Sequence, residues 1–310
     1  MIQPYKGYEN HLASQLVNKT EEDVKASKLQ AEELMRYTLP EGMTMQDMEI
    51  DGPDINQKLI LRVYRPKNVN ENSPVVLDIH GGGWVGGNLD IDNYRCIEIA
   101  QRTPCVVIGV DYRTANAQIH YPKPLMDCYT ALNYVYEHAK ELGVDKNRIA
   151  LHGTSAGANL AAGLALYVRD FGGPKISLNI LNCPALSMKY TQDPAFQQLK
   201  EYRMGSRKPD ENVEYIYLGG YTEDTPEIYA FPGYCKNLEG LCPHMVIVGE
   251  YDTLRDDGIR YANQLLADGI GCEMLVAPRV GHGFCTVHQP LTEWVHEGVA
   301  MSLRREFNMI

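Results

Sequence analysis

Basic residues are in the minority in this chain. It carries 29 Lys and Arg against 40 Asp and Glu, a formal charge of −11 over 310 residues. A nucleic-acid partner needs a basic footprint on its phosphates, so none is expected. The same balance disfavours docking on anionic membranes. No uninterrupted apolar run approaches the length of a membrane span. The opening "MIQPYKGYENHLASQ" lacks a basic segment followed by an apolar one, so no signal peptide is read there and a cytoplasmic chain is expected. None of the eight cysteines forms a C-x-x-C pair, and several fall in apolar, strand-like runs. Reduced, mostly buried thiols are therefore expected, in place of a disulfide framework or a metal site. Fixed-period repeats and low-complexity tracts are absent too.

What is present is an α/β rhythm. Residues 9–37 read as helix, with Asn18 or Thr20 able to cap a second segment whose first turn holds Glu21, Glu22 and Asp23. Pro40 and Gly42 end it. "MTMQDMEIDG" and "QKLILRVYRP" then alternate like two strands. From residue 74 on, the apolar runs "PVVLDI", "CVVIGVDY", "RIALHG", "ISLNILNC", "HMVIVGE" and "CEMLVAP" alternate with helical segments near 91–102, 125–142, 156–169, 254–268 and 291–308. That alternation predicts a mostly parallel eight-stranded sheet with helices on both faces. Residues 185–243 break the rhythm with Pro, Gly, charge and seven tyrosines, too long for an ordinary connection, and read as a helical lid.

Two glycine-rich stretches carry chemistry. "LDIHGGGWVGGNLD" (77–90) holds G-x-G-x-x-G as Gly81, Gly83 and Gly86, which suits a pyrophosphate; it also holds His80 before three glycines, which suits an oxyanion. "LHGTSAGANLA" (151–161) holds G-x-S-x-G as Gly153, Ser155 and Gly157, after an apolar strand and before an amphipathic helix. That is the strand–turn–helix context of a nucleophile elbow, where small neighbours are required. A serine hydroxyl is a weak nucleophile and needs a base. His282, in "PRVGHGF", follows the last strand between two glycines. The base needs an acid to fix its tautomer. Asp252 stands at a strand end in "IVGEYDTLRDDG", whereas Asp256 and Asp257 fall in the following helix, where solvation is expected. The order Ser…Asp…His is that of α/β-hydrolases.

With these motifs assembled, the chain resembles the hormone-sensitive-lipase-like family of α/β-hydrolases, the bacterial family IV carboxylesterases. The likeness rests on "HGGGW" (80–84), "DYR" (111–113), "GTSAG" (153–157), "GEYDTLRDDG" (249–258) and "GHGF" (281–284), over about residues 44–310. It implies an α/β-hydrolase fold with a helical cap: an N-terminal cap segment (1–43), a core in two parts (44–184 and 226–310) and a cap insertion (185–225). It implies a triad of Ser155, Asp252 and His282, and an oxyanion hole from the backbone N–H groups of Gly82, Gly83 and Ala156. It needs no metal or organic cofactor, and makes a homodimer plausible. The partner it implies is a small-molecule ester, hydrolysed through an acyl-enzyme. Departures from the family pattern, such as "DYRTANAQ" where relatives often read D-Y-R-L-A-P-E and Ala158 where many carry glycine, bear on substrate preference rather than on the triad. Small soluble esters, short-acyl or aryl, are favoured over triglycerides, with Tyr190, Tyr202, Tyr215, Tyr217 and Tyr221 available either to wall a pocket or simply to pack the lid.

Three rival readings remain. An NAD(P)-dependent reductase would use Gly81–Gly86, Asp111 and the Tyr136–Lys140 pair. Against it, "WVGGNLDID" intervenes where a pyrophosphate loop should run straight into a helix, and Asp90 and Asp92 would repel phosphate. A non-catalytic binding protein on the same fold, as in plant gibberellin receptors, would not need the full set of three residues retained here. An amide hydrolase would share the chemistry, but no charged pocket for a peptide terminus can be placed.

Overall fold

The structure is a computed structural model that describes residues 2–202, 212–220 and 227–310. Among these residues the helices are α1 (Glu9–Ser14), α2 (Glu21–Leu34), α3 (Asn93–Arg102), α4 (Lys123–Glu137), α5 (Ala156–Phe171), α6 (Pro194–Gln198), α7 (Val213–Tyr217), α8 (Arg255–Ala267) and α9 (Pro290–Glu306). The strands are β1 (Thr44–Asp51), β2 (Lys58–Arg65), β3 (Ser73–Ile79), β4 (Val106–Asp111), β5 (Val144–Thr154), β6 (Ile176–Asn182), β7 (His244–Gly249) and β8 (Cys272–Ala277). All eight form one sheet in the order β1-β2-β4-β3-β5-β6-β7-β8. β2 pairs antiparallel with both β1 and β4, and the strands from β4 through β8 are parallel.

The central strands are apolar along their whole length because both faces are covered. On β3, Val75, Leu77 and Ile79 enter one core with α4, α5 and α8, while Val76 enters a second core with α3 and α9. β4 splits the same way, with Val106, Ile108 and Val110 on the first face and Val107 on the second. The period of two thus distributes each strand between two hydrophobic layers.

The helical stretch expected over 9–37 is two helices. The break has a local cause. Thr20 Oγ1 accepts from the Asp23 backbone N–H at 3.2 Å, and the Asp23 carboxylate accepts from the Thr20 N–H at 2.8 Å, a reciprocal cap that starts α2. The chain between the helices reaches the turn after α6, where the Val17 N–H donates to Glu201 O at 2.8 Å. All eight cysteines are free thiols, and six are buried. No helix among the described residues is long and apolar enough to cross a membrane.

Candidate active site

β5, β7 and β8 each end beside the same point. β5 delivers Ser155 at its carboxyl end with φ 57° and ψ −119°, a backbone conformation costly for any residue with a Cβ. Two glycines make the turn sterically feasible. A Cβ on Gly153 would lie 2.3 Å from Gly157 O, and one on Gly157 would lie 2.0 Å from Ile79 O at the end of β3. α5 therefore starts directly behind Ser155, with Ala156 in its first turn, where N–H groups lack intrahelical partners.

His282 follows β8 and Asp252 follows β7. His282 Nε2 lies 2.8 Å from Ser155 Oγ, and His282 Nδ1 lies 2.9 Å from Asp252 Oδ2. Asp252 is fully buried and its Oδ1 accepts from the Leu254 N–H at 2.8 Å. A carboxylate at Nδ1 places the imidazole proton on that nitrogen, so Nε2 presents a lone pair to the serine hydroxyl. Burial pushes the His282 pKa down, but the Asp252 charge and hydrogen bond outweigh it, and the pKa lies above its ordinary 6.5. The structure thus brings together the three side chains singled out from sequence.

Gly82 and Gly83, with φ of 128° and 61°, line the same space as Ser155 and His282. Glycine at these positions has an internal cause. A Cβ on Gly82 would lie 2.1 Å from Gly86 O, and one on Gly87 would lie 2.0 Å from Gly81 O. The loop folds back on its own backbone, with the Gly86 N–H donating to Gly82 O at 3.0 Å. His80 braces it: the ring is buried, stacks on Tyr112 with centroids 4.2 Å apart, and has Nδ1 2.8 Å from Gly81 O. Trp84, at φ 61°, donates from Nε1 to Asn159 Oδ1 at 3.1 Å, tying the loop to α5.

Beneath the elbow lies a charged cluster that no sequence motif announced. Arg95 of α3 donates to Asp78 Oδ2 at 2.9 Å, to Asp92 Oδ1 at 2.6 Å and to Thr154 Oγ1 at 2.6 Å, while His152 Nδ1 sits 2.8 Å from Asp78 Oδ1. Burial raises both carboxyls' pKa values. For Asp78, Arg95 and His152 outweigh burial and hold it well below the ordinary range, whereas burial prevails at Asp92, pushed up to about 6. Thr154, the residue before Ser155, is thereby held from the far side of the sheet.

The helical acid Asp257, expected to be solvated, is buried. It accepts from the Leu186 and Ser187 N–H groups at 2.6 and 2.9 Å and from Ser187 Oγ at 2.8 Å, pinning the chain after β6 to α8. Sequence position on a helix says nothing about which face a distant segment will cover.

Two cavities share Gly82, Gly83, Ser155 and His282 in their walls. One, about 200 Å³, is completed by residues that include Trp84, Tyr190, Val213, Glu214 and Leu254. The other, about 290 Å³, is completed by residues that include His11, Gln15, Gln30 and Thr286. Apolar surface predominates in both. A larger cleft of about 480 Å³, between Arg169, Lys175 and Glu306, contains none of these residues. Of the tyrosines singled out in this segment, Tyr190 lines the cavity of about 200 Å³ beside the serine; Tyr217 is buried against Trp84, centroids 4.7 Å apart, and Tyr221 lies outside the described residues.

Cys183 joins Asp252 and His282 as the one set of three potential metal ligands among the described residues, with ligand atoms within 4.8 Å. Asp252 and His282 are engaged with each other, and burial raises the Cys183 thiol well above its ordinary range, against the thiolate that ligation needs. The dinucleotide reading finds little here. α3 starts only at Asn93, and Asp90 and Asp92 are held by Arg62 and Arg95. Tyr136 lies on the outer face of α4 under the Lys146 ammonium.

A strand–serine–helix elbow, a histidine after the last strand and a buried acid between them on one mostly parallel sheet define an α/β-hydrolase. Residues 76–286 match the family model described as alpha/beta hydrolase fold, and the chain belongs to that family, in the hormone-sensitive-lipase-like group its motifs resemble. It is 33% identical over 273 residues to esterase LipI of Mycobacterium tuberculosis, covering 85% of this chain and 82% of that one. It is also 33% identical over 235 residues to an arylesterase of Saccharolobus solfataricus, covering 74% and 73%. Among solved structures, a bacterial heroin esterase superimposes with a TM-score of 0.81 at 30% identity, over 92% of this chain and 90% of that one.

Proposed function

We propose that this protein is a serine carboxylesterase that hydrolyses small, soluble short-acyl or aryl esters. The reading is carried by the linear array of Ser155 Oγ, His282 and Asp252, with contacts of 2.8 and 2.9 Å. Similarity to proteins named esterase and arylesterase supports the reaction class.

Ser155 Oγ attacks the ester carbonyl while His282 Nε2 takes its proton. Asp252 stabilises the imidazolium so formed. The tetrahedral oxyanion is held by the backbone N–H groups of Gly82, Gly83 and Ala156. Such donors are already oriented, and losing one costs about 3 kcal/mol in the transition state. His282 then protonates the departing alkoxide, and water, deprotonated by the same histidine, releases the acid from Ser155. The cap comprises the 1–43 segment and the 185–225 insertion. Ser155→Ala is expected to abolish hydrolysis of p-nitrophenyl acetate and covalent labelling by a fluorophosphonate while the circular dichroism spectrum is retained. Hydrolysis at the parent rate would refute the assignment.

A further inference from the structure

We infer that Gln15 is a positioning residue for the catalytic histidine, and that the N-terminal segment forms a brace around it. The inference rests on the reading above, in which His282 is the base.

The His282 N–H donates to Gln15 Oε1 at 3.0 Å, and Gln15 Nε2 donates to His282 O at 2.7 Å. One carboxamide thus holds both peptide groups that flank the His282 Cα. Fixing those two planes fixes φ and ψ of His282, and so the direction in which its side chain leaves the backbone. His282 needs such a partner more than most residues, because its neighbours are Gly281 and Gly283, the most permissive residues available. Gly283 is itself left-handed, with φ 68°.

The amide orientation is determined chemically. His282 N–H requires an acceptor, so Oε1 faces it and Nε2 faces the carbonyl. The second Nε2 proton points to His11 Nε2, 3.0 Å away, which must then be a lone pair. His11 is buried, and burial lowers its pKa to about 4, which keeps that lone pair free near neutrality. His11 and Gln15 stand four apart on and just beyond α1, on one face.

Gly281 gives an independent indication. A Cβ there would lie 2.4 Å from Gln15 Oε1, so any side chain at 281 would expel the clamp. The rest of the segment reaches the same loop and the helix after it: the Tyr5 N–H donates to Arg279 O at 2.9 Å, and the Tyr8 hydroxyl lies 2.7 Å from Thr292 Oγ1 in the first turn of α9. The N-terminal partners Tyr5, Tyr8, His11 and Gln15 lie outside the stretch matched by the family model, 76–286.

The test compares Gln15→Met, Gly281→Ala and the double variant, with Ser155→Ala in parallel, in steady-state hydrolysis of p-nitrophenyl acetate by the full chain. A displaced base costs chemistry rather than binding. Each single variant is expected to lower kcat about 10- to 100-fold with KM within about twofold. Because both changes disable one clamp, the double variant is expected to be no more than about twofold slower than the worse single. Fluorophosphonate labelling of Ser155 should slow in parallel, at unchanged folded fraction. A Gln15→Met kcat within twofold of the parent, an effect on KM alone, or losses that multiply in the double variant would each overturn the brace. If Gln15→Met does not fold, the kcat of Gly281→Ala decides by the same thresholds. Full hydrolysis by Ser155→Ala would bring down the esterase mechanism itself; inactive Ser155→Ala beside parent-like Gln15→Met would bring down the brace alone.

Discussion

Single residues do their work here through what surrounds them. Asp252 is an ordinary carboxylate made effective by complete burial and by the single ring nitrogen it faces. Its influence on His282 sets a pH dependence whose sign follows from the causes. Burial alone would lower the histidine pKa; the carboxylate raises it above 6.5. The acidic limb of kcat/KM is therefore expected above 6.5 in the parent and below it in Asp252→Asn, where burial remains and the charge is gone. The same variant should lose about 10⁴-fold in kcat, because the amide no longer enforces the Nδ1–H tautomer. A pH–rate profile of both proteins measures each effect. Stability has its own sign. Between the unfolded and folded pKa values of His282, the folded chain binds more protons, so this group's contribution is full in mild acid and fades as pH rises through the folded value. An acidic limb in Asp252→Asn at or above that of the parent would contradict the electrostatic account.

At the level of elements, the site depends on how closely β3, β5 and α5 approach one another. Gly157 opens α5 where the helix meets the end of β3, and a methyl group there would fall 2.0 and 2.4 Å from two backbone oxygens, of Ile79 and His80. Backbone at strand ends cannot yield as a side-chain tip can. Gly157→Ala is expected to destabilise the protein by about 3 kcal/mol, the upper end for overpacking, and urea unfolding would show it as a lowered midpoint. A midpoint unchanged by the substitution would mean that α5 can slide relative to β3. The charged cluster of Asp78, Arg95 and Asp92 binds α3 to the same junction from the opposite face. The elbow is thus gripped from both sides of the sheet, which is how a strained serine conformation can persist.

For the molecule as a whole, the sheet core is the architecture this chain shares with its relatives, and the small-ester reading rests on what closes over that core. The cavity bounded by Trp84, Tyr190 and Leu254 holds about 200 Å³, and apolar surface predominates in it. An acyl series of p-nitrophenyl esters is expected to give its highest kcat/KM between acetate and butyrate and a fall of at least tenfold by the dodecanoate. A maximum at long chains would reject the small-ester reading. The two cavities meet at Ser155 and are closed by different parts of the chain, residues near 190 and 213 for one and the N-terminal segment for the other. The walls of the two cavities are consequently drawn from segments that share no motif.

The chain by itself determined the sheet, because alternating apolar runs such as "PVVLDI" and "CVVIGVDY" have only one economical burial, between two layers of helices. It also made Ser155, Asp252 and His282 legible, since each follows the end of a core strand, Ser155 and His282 among glycines that permit a sharp turn. These are local signals, written within a few positions of the residue concerned. Tertiary structure alone decided the rest. Asp257 became a buried anchor for the chain after β6 instead of a solvated helix charge because Leu186 and Ser187 offer it backbone donors across about 70 residues. Gln15 met His282 across 267 residues, on a helix whose sequence shows only that His11 and Gln15 share a face. Tyr217 went under Trp84 while Tyr190 reached the cavity, although both stand in the same tyrosine-rich stretch. A hydrogen bond depends on where two groups end up, and the spacing of either group within its own segment does not contain that information.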